Sequence, residues 1–246
     1  MPLTLAHPAL VLPARRLNLP MTALVIGSMV PDVPRIAGRV AAYRWSHSAW
    51  GVVTFDVAVG FLALLLWVYF FRRPLVDLSP DPLRGRLAPV VPLTRWTWLL
   101  SLPALAVGAA THVLWDEFTH QDAWGVRRIG FLRDSYAGLP GYEWAQHVFG
   151  GLGLVIVVAF MMRHAAGLPP AQPRGEPLVD RAAVPVVLGS GLVLGLGVAT
   201  LVSPWGFEAV AFYGFVTSLL VVGIATTCVC AWWHLKRIYR LARTTR

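Results

Sequence analysis

The chain has 246 residues, 57% of them hydrophobic and only 13% charged, with a formal net charge of +9 and a mean hydropathy of +0.62. An average soluble domain carries roughly 25% charged residues, so a soluble fold of this length cannot hide so much apolar surface, and the expected class is an all-α, polytopic integral membrane bundle. The Lys and Arg residues are scattered over short loops and a C-terminal tail beside apolar runs, which fits membrane lipid as the partner and argues against nucleic acid.

The first apolar run, residues 19–30, is interrupted by Pro20 and too short to span, and predicts a re-entrant or interfacial helix. A cleaved signal peptide is the competing reading, although Pro31-Asp32 stands where a small-residue cleavage site should begin. Five runs of about 20 residues follow, each long enough for a hydrocarbon core of about 30 Å: residues 48–71, 96–115, 145–162, 183–202 and 209–233, the third being the shortest. Trp45, Trp50, Trp96, Trp98, Trp115, Trp144, Trp205, Trp232 and Trp233 lie near their ends, as interfacial anchors do.

Arg72, Arg73, Arg84, Arg86 and Arg95 flank the first long loop, Arg163, Arg174 and Arg181 mark the second, and Lys236, Arg237, Arg240, Arg243 and Arg246 form the tail. If five helices alternate, all three share one face, which the positive-inside rule makes cytoplasmic. Residues 1–47 then lie outside, against the grain of Arg15, Arg16, Arg35, Arg39 and Arg44. The Pro-rich segment 166–182 reads as a linker between a front domain (1–165) and a two-helix tail (183–246). In that tail the Gly191 to Gly195 spacing favours close helix approach, and Cys228 and Cys230 read as buried structural thiols.

Chemistry concentrates at the polar end of the second run, Thr111-His112-Val113-Leu114-Trp115-Asp116-Glu117-Phe118-Thr119-His120. On a helix His112, Asp116 and His120 fall at i, i+4 and i+8, within an arc of about 80°, which is how a helix presents metal ligands. Because the start of the first span, the end of the second and the start of the third share one face, His47, His112, His120, Glu143 and His147 gather there, joined by His7 and Asp32 if residues 19–30 do not span. Simpler readings stand beside this one. His112 with Asp116, and Glu143 with His147, also read as surface pairs at i and i+4. His47 also reads as the neighbour of a Ser46 or Ser48 helix cap, Asp32 as a turn former between Pro31 and Pro34, and Asp56 as a group orienting a ligand histidine from behind.

Four separated motifs carry a resemblance: Met1-Pro2-Leu3-Thr4-Leu5-Ala6-His7-Pro8-Ala9, then Ala23-Leu24-Val25-Ile26-Gly27-Ser28-Met29-Val30-Pro31-Asp32, then Ser46-His47-Ser48 with Phe55-Asp56, and His112 through His120. In that order they resemble the bacterial membrane family called domain of unknown function 4184, over about residues 1–160. More distantly the order is similar to predicted membrane-bound metal-dependent hydrolases and to zinc-dependent phospholipase C. That similarity implies divalent metal, zinc foremost, on His7, Asp32, His47, His112 and Asp116, with His120 a weaker transfer and no secure counterpart for the later His and Glu positions. The function expected is a metal-dependent hydrolase in which His112 and Asp116 are catalytic, Asp116 able to bridge two ions, acting on a lipid or phosphoester at headgroup depth on the outer face of the bacterial cytoplasmic membrane, with the C-terminus cytoplasmic. The alternative is a non-enzymatic membrane protein whose His/Asp cluster is structural or assembles a complex.

Overall fold

A computed structural model describes residues 4–87, 93–172 and 175–244; Met1-Pro2-Leu3, Arg174 and Arg246, used above, lie outside the described residues. The described residues begin with a 3-10 turn at Thr4–Ala6, followed by α1 (Pro8–Val11), which continues as the 3-10 stretch Leu12–Leu17 and ends at Asn18 in the left-handed region, φ 54°. Pro20, unable to extend a helix backwards but well suited to precede one, leads into α2 (Met21–Gly27). A 3-10 turn at Val30–Asp32 and two short helices, α3 (Val33–Ile36) and α4 (Val40–Ser46), bring the chain to the first span.

That span is built of α5 (Ala49–Val53) and α6 (Phe55–Leu66), a π-helical turn at Trp67–Phe71, and α7 (Arg72–Leu78). After α8 (Asp81–Leu87) come α9 (Arg95–Thr119), α10 (Trp124–Arg128) and α11 (Gly130–Arg133). A two-residue ribbon pairs β1 (Ser135–Tyr136) with β2 (Leu139–Pro140), and α12 (Gly141–Gly167), α13 (Ala183–Leu201) and α14 (Phe207–Thr244) complete the chain.

Among the described residues five helical stretches are long and apolar enough to cross a membrane: Ala49–Leu78, Arg95–Arg128, Gly141–Gly167, Ala183–Leu201 and Ala209–Arg243. The protein is therefore a helical integral membrane protein. Its helices outrun the apolar runs. The first span continues through Arg72 and Arg73 to Leu78, and the third, expected to be the shortest, has 27 residues against 19 in α13. Hydropathy marks the part of a helix that lipid requires to be apolar, whereas backbone hydrogen bonding carries the helix on through polar residues at either end.

Contacts group the chain into two compact units, Met1–Leu65 with Val91–Ala166, and Leu66–Val90 with Gly167–Arg246. In the first, α1 and its 3-10 extension form one arm of a helical hairpin and α2 the other. The hairpin starts at His7, 3.3 Å from Asp116 on α9, and returns to α9 at Ser28, 2.8 Å from His112. Glycine sets how closely α2 lies on α9: a Cβ on Gly108 would stand 2.3 Å from the Leu24 carbonyl oxygen and 2.7 Å from the Ser28 nitrogen, and one on Gly27 would stand 2.3 Å from the Leu105 oxygen.

In the second unit Leu78, Val179 and Trp233 form a buried cluster. Asp77 ties it together, accepting from Trp233 Nε1 at 2.7 Å and from the Leu178 amide at 2.8 Å and pairing with Arg84 at 2.7 Å. The Pro-rich segment is thus anchored at its C-terminal end. Gly191 and Gly195 do let α13 approach α14, since a Cβ on them would meet Val222 Cγ2 at 2.4 Å and Ser218 Oγ at 1.9 Å. Both cysteines are free, and Cys230 is buried, but Cys228 is exposed, because two residues along a helix turn a side chain to another side.

A candidate metal centre

Six of the sequence-selected residues meet around the C-terminal end of α9. His112 and Asp116 project from consecutive turns; Asp32 comes from the turn after α2, His47 from the residue closing α4, His7 from the residue before α1, and His120 from the residue closing α9. Four of them are withdrawn from the surface, with His112 0%, Asp32 1%, Asp116 5% and His7 5% exposed, while His47 and His120 are half-buried. His7 stacks on His112 with ring centroids 3.8 Å apart.

The hydrogen bonds fix two of the imidazoles. His112 Nδ1 lies 2.8 Å from the Ser28 carbonyl oxygen and His47 Nδ1 lies 3.0 Å from that of Tyr43. A carbonyl only accepts, so each Nδ1 carries the proton and, in a neutral ring, each Nε2 presents a lone pair. Those lone pairs face carboxylates. His112 Nε2 stands 3.4 Å from Asp116 Oδ2 and 3.6 Å from Asp32 Oδ1, and His47 Nε2 stands 3.3 Å from Asp116 Oδ2. Neither His112 Nε2 nor Asp32 Oδ1, both buried, has a hydrogen-bond partner.

Asp32, His47, His112 and Asp116 each offer one ligand atom, and all four atoms lie within 4.8 Å of one another. Where the rings are neutral, these converging donor atoms need a positive charge at their centre, which a metal ion would supply. Zinc-like ions take N and O ligands at about 2.0–2.2 Å in a tetrahedron, whose edges are then about 3.3–3.6 Å; the three His–Asp separations of 3.3, 3.4 and 3.6 Å match those edges. The residues present therefore fit a metal ion, and the cluster can hold one.

The other oxygen of Asp116 has its own neighbours. His7 Nε2 lies 3.3 Å and His120 Nδ1 3.5 Å from Oδ1, while His7 Nδ1 and His120 Nε2 are buried without hydrogen-bond partners. Asp32 is secured by the Thr4 hydroxyl, which donates to Oδ2 at 2.5 Å. Burial pushes its carboxyl up, but the adjacent His112 ring and the Thr4 hydrogen bond outweigh burial and hold it below the usual carboxylate range. Tyr43, its ring 4.0 Å from that of His47, has a phenol pushed up to about 12 by burial and by the negative charges of Asp116 and Asp32, so it stays neutral.

Glu143 and His147 do not join this group: Glu143 accepts from the Tyr142 hydroxyl at 3.2 Å and His147 is exposed. Asp56 is fully buried with neither oxygen hydrogen-bonded, so it is the backbone carbonyls of Ser28 and Tyr43, rather than Asp56, that orient the rings. Ser48 caps α5 by accepting the Gly51 amide at 3.0 Å. Ser46 has a different task, its buried hydroxyl lying 2.9 Å from the Pro31 carbonyl oxygen and 2.8 Å from that of Tyr43. The two carbonyls escape sequence reasoning because a backbone acceptor has no residue-type signature, and Thr4 escapes it because its partner Asp32 lies 28 residues away.

Beside His7 and Asp116 a cavity of about 160 Å3 opens, lined by Ala9, Leu10, Phe149, Leu152 and Ile156.

Residues 1–233 match the profile of a family described as Domain of unknown function (DUF4184). The match runs well beyond the 160 residues expected and takes in most of the two-helix tail. No curated protein and no solved structure matches the chain, so the comparisons show the family and not the likeness to hydrolases.

Proposed function

We propose that this chain, which belongs to the Domain of unknown function (DUF4184) family, is a membrane-embedded hydrolase dependent on a divalent metal and acting on a lipid or lipid-linked phosphoester. The observation that carries the reading is the pair of imidazoles whose Nδ1 protons are committed to backbone carbonyls, leaving both Nε2 atoms aimed at Asp116. Asp32, His47, His112 and Asp116 would hold the ion, and the mixed N/O donor set favours zinc. His7 and His120, on the far oxygen of Asp116, would offer further nitrogen donors beside that carboxylate should a second ion bind. Such an ion lowers the pKa of a bound water to about 7 and draws charge from a phosphoryl or carbonyl oxygen.

The chain's own residues supply orientation and a substrate path. The Ser28 and Tyr43 carbonyls fix the ring tautomers, and Thr4 holds Asp32. Leu10, Phe149, Leu152 and Ile156 form an apolar wall that ends at His7 and Asp116, which suits a ligand with an apolar chain and a polar bond at its head. The arginines of the first loop and the tail support a cytoplasmic C-terminus, with the metal centre toward the outer face of a bacterial cytoplasmic membrane.

A second reading draws on the contact of Asp116 with four histidine rings: protonated imidazoles would make this a structural network locking helices together. Elemental analysis of protein purified in detergent separates the two. At least one tightly held transition metal per chain is expected, together with hydrolysis when phospholipid and phosphoester substrates are screened on metal-loaded protein. A folded, metal-free chain would sink the hydrolase reading, and a metal-loaded chain inert to every ester would leave the site structural.

A further inference from the structure

α12 rises about 33 Å between Gly141 and Arg163, close to one hydrocarbon thickness, and a groove of about 950 Å3 opens where its C-terminal half meets the 3-10 stretch. Arg15 and Arg16 reach it from the tip of the helical hairpin and Arg163 from α12, while Leu12, Ile156 and Phe160 give it an apolar wall. Among the described residues no acidic side chain lines the groove. None of the three guanidinium groups has an ion-pair partner among the described residues.

The placement makes those charges costly as they stand. A hairpin that enters from the side of the metal centre carries two arginines to the level of Arg163, near the opposite boundary of the hydrocarbon. Like charges repel there, and a guanidinium at the membrane is tolerated where it is paired or reaches an anionic surface. A planar guanidinium fits phosphate oxygens in pairs. A phosphate with an attached apolar chain meets both demands, the charge against the arginines and the chain along Ile156 and Phe160.

We propose that this groove binds the phosphate of an anionic phospholipid from the leaflet opposite the metal centre, pinning the tip of the helical hairpin. The proposal is independent of any catalytic reading. The same hairpin brings His7, Ser28 and Asp32 to the His/Asp cluster.

The test uses the full chain in detergent, titrated with phosphatidylglycerol, phosphatidylcholine or inorganic phosphate and read by native mass spectrometry and thermal unfolding. Wild-type protein is expected to retain phosphatidylglycerol and gain thermal stability from it, while phosphatidylcholine and inorganic phosphate at equal concentration do neither. Arg15→Gln/Arg16→Gln/Arg163→Gln should weaken phosphatidylglycerol binding at least about tenfold, and Lys236→Gln/Arg237→Gln in the tail should leave it unchanged. Equal retention of the two lipids by wild-type protein, equal stabilisation by free phosphate, or undiminished binding in the triple variant would overturn it. If the triple variant fails to fold, Arg163→Gln alone, on an exposed helix position, is read in the same way.

Discussion

Asp116 is the hub of the cluster, with Oδ2 toward His47 and His112 and Oδ1 toward His7 and His120. Asp116→Asn keeps the shape and removes the charge, so it is expected to cut metal affinity by more than about 100-fold, a ligand outweighing the 10–100-fold typical of the groups behind it. His112→Ala should do the same. Both are checked by metal content in protein whose membrane insertion and helicity are unchanged, and normal metal content in either would remove that residue from the ligand set. Ser46 links the Pro31-Asp32 turn to the turn bearing His47, so Ser46→Ala should lower metal affinity about 10–100-fold while leaving binding measurable; competition with a chelator of known affinity reads the change.

At the scale of elements, the approach of α2 to α9 sets the distance between the Ser28 carbonyl and His112. Gly108→Val places carbon where backbone atoms of Leu24 and Ser28 already stand, and overpacking of this kind costs roughly 1–3 kcal/mol or more. The expected result is a destabilised protein with weakened metal binding, since the Nδ1 hydrogen bond that fixes the tautomer is lengthened. Gly195→Leu provides the contrast. It separates α13 from α14 at Ser218 and is expected to lower thermal stability while the metal-to-protein ratio of the folded fraction stays at the wild-type value. Equal metal loss in both variants would mean that the α2–α9 contact has no special role.

At the scale of the whole molecule, all six clustered residues belong to the first compact unit, and Asp77 with Trp233 and Arg84 organises the second. Removing metal with a chelator should lower the thermal unfolding temperature of intact protein. An ion present at about 100 times its dissociation constant stabilises by about 2.7 kcal/mol, so the shift should be several degrees and should reverse on adding zinc; an unfolding temperature indifferent to chelator would argue that no metal is bound.

The five spans and the pairing of His112 with Asp116 follow from the sequence alone, because lipid demands about 20 apolar residues per crossing and a helix places i and i+4 on one face whatever surrounds it. That residues 19–30 are too short to cross is legible for the same reason, which left them re-entrant or interfacial. Helix ends are less so: backbone bonding carries α12 past its apolar stretch at both ends, and lipid demands nothing of those turns. The tertiary structure alone decided which nitrogen of His112 and of His47 is committed to a backbone carbonyl, that Glu143 and His147 stand apart, that Cys228 is exposed, and that Arg15 and Arg16 share a groove with Arg163. Each of those depends on a backbone carbonyl or a side chain from a distant stretch of chain, and local pattern carries no record of what folding brings alongside.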